Sequence, residues 1–139
     1  MSDERLHALL ADAHHGVLVT LKADGRPHLS NVGHTYDPAN RLLRVSITAT
    51  RVKTRNLMRD PRASYHVASR DFWHWAVADA TAELTPVANV PQDATVDELV
   101  DLYRTIAGEH PDWDDFRQAM VRDQRLLAKL RVEHLYGQP

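Results

Sequence analysis

The chain has 139 residues, 43% of them apolar, a formal net charge of −2 and no cysteine. That length and apolar content suit one domain with one core, and the missing cysteine removes disulfides, thiolate nucleophiles and zinc–thiolate sites. A slightly acidic chain has no general attraction for nucleic acid or anionic membrane, and no apolar run approaches the ~20 residues of a membrane span.

The start is acidic and only briefly apolar (Asp3, Glu4, Arg5, then Leu6, Leu9 and Leu10 at helical spacing), unlike a secretory signal. A short helix stopped by Gly16 is expected there, and a cytoplasmic location follows as the default. Val17–Leu21 is a β-branched run, Asp24-Gly25 is a tight-hairpin pair, and His28–Tyr36 reads as the next strand. Asp37-Pro38-Ala39-Asn40 supplies a turn before a third strand over Leu42–Thr48. A helix from about Arg51 to Arg59 ends at Asp60-Pro61, because the residue before proline disfavours helix. Strands over Ala63–Ser69 and Phe72–Thr85 flank an Arg70-Asp71 turn, and the second is long enough to predict a bulge near Asp79 and Ala80.

Beyond a loop at Pro86–Pro91, Thr95 and Glu98 have the spacing of a capping box. Val96, Leu99, Val100, Tyr103, Ile106 and Ala107 share the helical face behind it, and Gly108 is a natural C-cap. A helix from Trp113 to about Asp123 and a closing strand over Arg125–Tyr136 complete the pattern. Six strands with a helical excursion before the last predict a mainly β, α+β fold: one domain over 1–139, a six-stranded antiparallel barrel with short peripheral helices. No dinucleotide fingerprint or P-loop is present.

The chemistry concentrates between Arg51 and Arg62, where Arg51, Lys53, Arg55, Arg59 and Arg62 face one acid, Asp60. A solvated helix face is the plainer reading. Against it, Arg51 and Lys53 fall in the first helical turn, where the dipole and free N–H groups already make positive charge unfavourable unless an anion joins them. A phosphate satisfies both. Trp73 and Trp75, at period 2, would share a strand face, as core, interface or ring-stacking platform. Asn31, Ser46 and Thr48 are polar positions on strands beside apolar ones. The nine histidines form no His-Glu-x-x-His or helical i, i+4 pair, so no metal site is predicted, and surface or core roles are favoured for them.

Gly16–Thr20 with Asp24-Gly25-Arg26-Pro27-His28-Leu29-Ser30-Asn31-Val32 resembles the opening of the pyridoxamine-phosphate-oxidase-like split-barrel flavoproteins. Val45-Ser46-Ile47-Thr48, Arg51-Val52-Lys53-Thr54-Arg55-Asn56-Leu57 and Asp60-Pro61-Arg62-Ala63 resemble that superfamily's phosphate-binding region. Ala107-Gly108-Glu109-His110, Trp113-Asp114-Asp115 and His134-Leu135-Tyr136-Gly137 are similar to the subgroup that uses the deazaflavin coenzyme F420.

The resemblance implies a reductase that passes hydride from reduced F420 to a small organic acceptor. An FMN-dependent oxidase or reductase and a non-catalytic F420 carrier are the alternatives. It implies that Arg51, Lys53 and Asn56 hold the coenzyme phosphate, with Thr54 among the cofactor-binding residues. Ser46, Ile47 and Thr48 would line the ring, Leu29, Ser30, Asn31 and Val32 would flank it, and Trp73 and Trp75 would border a groove shared in a homodimer. Arg59 and Arg62, further along, are expected to be solvated. No catalytic residue is implied, and neither nucleic acid nor membrane is an expected partner.

Overall fold

The computed structural model describes residues 2–139. Helix α1 (Ser2–Asp12) precedes strands β1 (His15–Leu21), β2 (Pro27–Asp37) and β3 (Leu42–Thr48). Helix α2 (Val52–Arg59) leads into β4 (Arg62–Ala68) and β5 (Trp75–Leu84). Helices α3 (Ala94–Ala107) and α4 (Trp113–Arg122) intervene before the last strand, β6 (Arg125–Gln138). The strands pair antiparallel and close in the order β1-β2-β3-β6-β5-β4. The expected mainly β barrel with short peripheral helices is the observed architecture.

Period-2 alternation builds the interior. On β3, Leu43, Val45 and Ile47 are fully buried, while Arg44 and Ser46 between them face outward. Tyr65 and Val67 on β4 enter the same core, and Ala76, Ala78 and Ala80 on β5 make room for them. Each fully buried Leu or Ile contributes about 1.5–3 kcal/mol relative to exposure. Strand β6 is covered on both faces: Leu126, Ala128 and Leu130 point into the barrel, and Leu127 joins a second cluster beneath α3 and α4 with Leu99, Val100 and Phe116.

Several local expectations are corrected. Helix α1 ends at Asp12, and Gly16 lies inside β1. A Cβ on Gly16 would stand 2.6 Å from the His66 carbonyl oxygen and 2.7 Å from the Tyr65 ring, so a close crossing rather than a helix stop demands glycine there. The cap of α3 is Asp93, whose carboxylate accepts from the Val96 amide at 2.8 Å. Thr95 instead lies within the helix and donates to the Pro86 carbonyl at 2.9 Å, and Glu98 pairs with Lys129 at 2.7 Å. The bulge falls where the length of β5 placed it: the register shifts between Asp79 and Ala80, with Glu133 of β6 as the extra residue.

Two buried polar ties hold the periphery to the barrel. The first is His34 on β2, fully enclosed. Its Nε2 lies 2.9 Å from the Leu10 carbonyl and its Nδ1 2.5 Å from the Tyr65 hydroxyl. A carbonyl only accepts, so Nε2 carries the proton and Nδ1 accepts from Tyr65. Burial lowers the His34 pKa to about 4, outweighing the Leu10 hydrogen bond that acts the other way. The second tie is Asn56 on α2, which is buried and donates to Thr20 Oγ1 of β1 at 3.0 Å while accepting from Arg59.

Because the folded pKa of His34 lies below its unfolded value of 6.5, the unfolded chain takes up the proton first as pH falls. Stability from this group is therefore present at pH 7 and drains away through the window from 6.5 down to about 4. Lowering pH from 7 to 4.5 should cost about 2 kcal/mol through His34, and His34→Gln should remove that component from paired urea titrations at the two pH values. An undiminished pH dependence in the variant would contradict the assignment. Asn56→Ala leaves the buried Thr20 hydroxyl without its partner and should lower unfolding free energy by about 1–2 kcal/mol in urea; an unchanged midpoint would refute that role.

Candidate functional site

Strand β3 runs out at Thr48 and the chain turns through Ala49 and Thr50 into α2. Two hydrogen bonds fix this corner: the Arg51 amide donates to the Thr48 carbonyl at 3.1 Å, and the buried Thr54 hydroxyl donates to the same oxygen at 2.7 Å. Arg51 is the N-cap in extended conformation, and no side chain caps the helix. The first-turn N–H groups of such a helix have no partner within it.

This corner forms one end of a cavity of about 590 Å³. Its polar side is built from Asn31 of β2, Ser46 and Thr48 of β3, Arg51, Lys53 of α2, and Arg125 at the first position of β6. Leu99, Tyr103 and Ile106 of α3, with Phe116 and Met120 of α4, make the opposite, apolar wall. The register explains how residues far apart in sequence meet: Thr48 is paired with Arg125 where β3 and β6 run side by side.

Among the described residues, Arg51, Lys53 and Arg125 have no carboxylate within salt-bridge distance. Lys53 is held below the usual lysine range, chiefly by burial and then by the neighbouring charges of Arg51 and Arg125. Arg125 Nη1 reaches Ser46 Oγ only at 3.4 Å, and its Nε is buried with no partner. Three cations from two distant parts of the chain thus crowd one cavity without a counter-charge among the described residues, a donor set that fits phosphate. Arg59 and Arg62 of the basic segment are engaged elsewhere. Arg62 pairs with Asp60 at 2.8 Å and Arg59 donates to the Leu21 carbonyl at 2.7 Å, and both stand exposed to solvent, as expected.

Of the residues singled out from sequence, Asn31, Val32, Ser46, Thr48, Arg51 and Lys53 come together around this cavity. Thr54 and Asn56 lie beside it but turn their polar groups into the Thr48 carbonyl and Thr20. Ile47 is a core residue and Leu29 an exposed one, and the Ser30 hydroxyl is buried without a partner. A second depression, lined by His15, Val17 and His66, adjoins the first through Asn31–Gly33. Val17 pairs with both Asn31 and His66, which puts the three in one row across β4, β1 and β2. A third hollow joins His66 to Phe72, Trp73 and Trp75.

The tryptophans do not share a strand. Strand β5 begins at Trp75, and Trp73 sits in the preceding turn, where Phe72 takes a positive φ of 79° and the Asp71 carboxylate accepts from the Trp73 amide. Trp73 is 70% exposed, while Trp75 packs against His66 and Tyr136. Sequence reasoning missed Arg125 and the α3–α4 wall. The apolar periodicity of α3 is visible in the sequence, but not that Leu99, Tyr103 and Ile106 line the same cavity as the basic corner.

Comparison with known proteins follows the same lines. The chain is 31% identical over 105 residues to an F420H(2)-dependent biliverdin reductase of Mycobacterium tuberculosis, a match covering 76% of this chain and 74% of that protein. A solved structure described as an F420 reductase superposes with a TM-score of 0.66 at 22% identity, covering 94% of each chain. The heme storage protein HutZ of Vibrio cholerae superposes with a TM-score of 0.69 at 15% identity, covering 98% of this chain and 92% of that one. At such identities the two superpositions speak for the fold alone. The sequence kinship supports an oxidoreductase with a flavin or deazaflavin cofactor. A model of the pyridoxamine 5'-phosphate oxidase family matches residues 2–138, and the chain belongs to that family.

Proposed function

We propose that this chain is a reductase that binds coenzyme F420, with residues 1–139 acting as one cofactor-binding unit, and delivers hydride to a small organic acceptor. The observation that carries this reading is the uncountered cluster of Arg51 and Lys53 at the start of α2, at one end of a cavity large enough for a tricyclic ring. The F420-dependent relative, similar over three quarters of the chain, favours the deazaflavin over FMN, which the same phosphate site would also accept.

Bound there, the deazaflavin supplies a hydride in a two-electron step from the carbon that replaces the flavin's central nitrogen. The protein's part is placement. Arg51 offers a planar fork and Lys53 a point charge to the phosphate. Thr54 holds their turn in place through the Thr48 carbonyl. Ser46 and Thr48 on one strand and Asn31 and Val32 on the next border the ring, with Ile47 and Ser30 contributing backbone. The apolar side chains of α3 and α4 keep water off that face, which strengthens every polar contact inside.

A homodimer belongs to the same proposal. Phe72, Trp73 and Tyr136 are large, exposed and gathered at one end of the barrel beside Trp75, an apolar surface of the kind that partners cover. A cytoplasmic location is part of the same proposal; no described helix is long and apolar enough to cross a membrane.

Fluorescence titration of the purified protein with F420 and with FMN tests the cofactor, and tighter binding of FMN would replace F420 in this reading. Lys53→Ala should weaken coenzyme binding by about 1.5–3 kcal/mol, the size of a charge-assisted contact; unchanged affinity would remove Lys53 from the phosphate site. Sedimentation at micromolar concentration should give twice the chain mass, and a monomer would end the shared-groove proposal.

A further inference from the structure

Arg125 stands apart from the basic segment in sequence and joins it only in space. It opens β6 opposite Thr48, the last residue of β3, and lines the same cavity as Arg51 and Lys53. A purely structural arginine would be expected to pair with a carboxylate or to bond carbonyls firmly. Among the described residues Arg125 does neither: its one side-chain hydrogen bond, to Ser46 Oγ, is 3.4 Å long, and its buried Nε has no partner. A buried donor left unsatisfied costs free energy, and its placement beside two more cations adds repulsion, felt at Lys53. Both penalties disappear if an anion is bound.

We infer that Arg125 is the third anion-binding residue of the site, and that the group it helps to hold carries at least two negative charges. The inference rests on the cavity being the coenzyme's phosphate site. One cation suffices for a lone phosphodiester charge; three without an acid among them match a denser anion. The phosphomonoester of FMN meets that requirement alone. The phosphodiester of F420 meets it together with the carboxylates that follow along its tail. Arg125 reaches the site from the start of β6, whereas Arg51 and Lys53 reach it from the corner after β3, so the anion is gripped from two sides of the β3–β6 seam.

The test compares wild type with Arg125→Gln and Arg125→Lys in titrations of four probes: FMN, riboflavin, F420, and the phosphate-free deazaflavin chromophore. Arg125→Gln should weaken whichever phosphorylated coenzyme the protein prefers by roughly 10- to 100-fold, the value of one charge-assisted contact, and leave its phosphate-free counterpart within about twofold. It should also flatten the salt dependence of binding. Arg125→Lys keeps the charge without the fork and should recover part of the loss; it serves as the working variant if the glutamine protein does not fold. Equal losses for phosphorylated and phosphate-free probes, or no loss for either, would overturn the role of Arg125 while leaving the coenzyme site intact. A wild-type protein that binds both kinds of probe equally would overturn the phosphate site itself, and Arg125 with it.

Discussion

Strand β6 closes the sheet by pairing with β3 on one side and β5 on the other, and nearly everything else depends on that closure. It seals the core around Leu43, Val45, Ile47 and Tyr65, and it removes the two open edges that a six-stranded sheet would otherwise present. The same pairing sets Arg125 against Thr48 and therefore beside the corner where α2 begins. It also fixes where the α3–α4 excursion must return, so that the helices lie over β6 and lean across the cavity. One long-range ladder thus builds the hydrophobic interior and the electropositive site together.

Local chemistry made much of the barrel legible from sequence. The alternation of β3, the Asp-Gly turn after β1 and the proline after α2 each have a short-range cause. The length of the segment after Arg70-Asp71 also pointed to a bulge at Asp79 and Ala80, although the extra residue, Glu133, lies on β6. What escaped were features set by tertiary contact. Gly16 reads as a helix stop until the Tyr65 ring is found lying against it. Thr95 and Glu98 have capping-box spacing, yet Asp93 takes the cap because its carboxylate also gathers the Asn89 and Val90 amides of the incoming loop. Trp73 follows a period-2 pattern, but Phe72 in the left-handed region turns the chain before the strand begins.

The candidate site divides in the same way. Arg51 and Lys53 were legible because a cation in the first turn of a helix is locally unfavourable and asks for a reason. Asn56 sits in the same string and has the chemistry of a phosphate ligand, yet its amide is spent on Thr20 and Arg59, contacts that no spacing rule reveals. Arg125 carried no local signal at all. Its neighbours Leu126, Leu127 and Ala128 announce a buried strand, and only the β3–β6 register turns the residue before them toward the site.

The cavity's two walls have different origins in the chain. The cationic side comes from the barrel and the corner attached to it, whereas the apolar side comes from an excursion that leaves the sheet after Leu84 and rejoins it at Arg125. Helices hung on a barrel by their two ends can change length, tilt or side chains without altering a strand register. The shape of the cavity's apolar side is therefore separable from the cationic corner: substitutions on the cavity face of α3 and α4 can reshape the space while Thr48 and Arg125 keep their pairing.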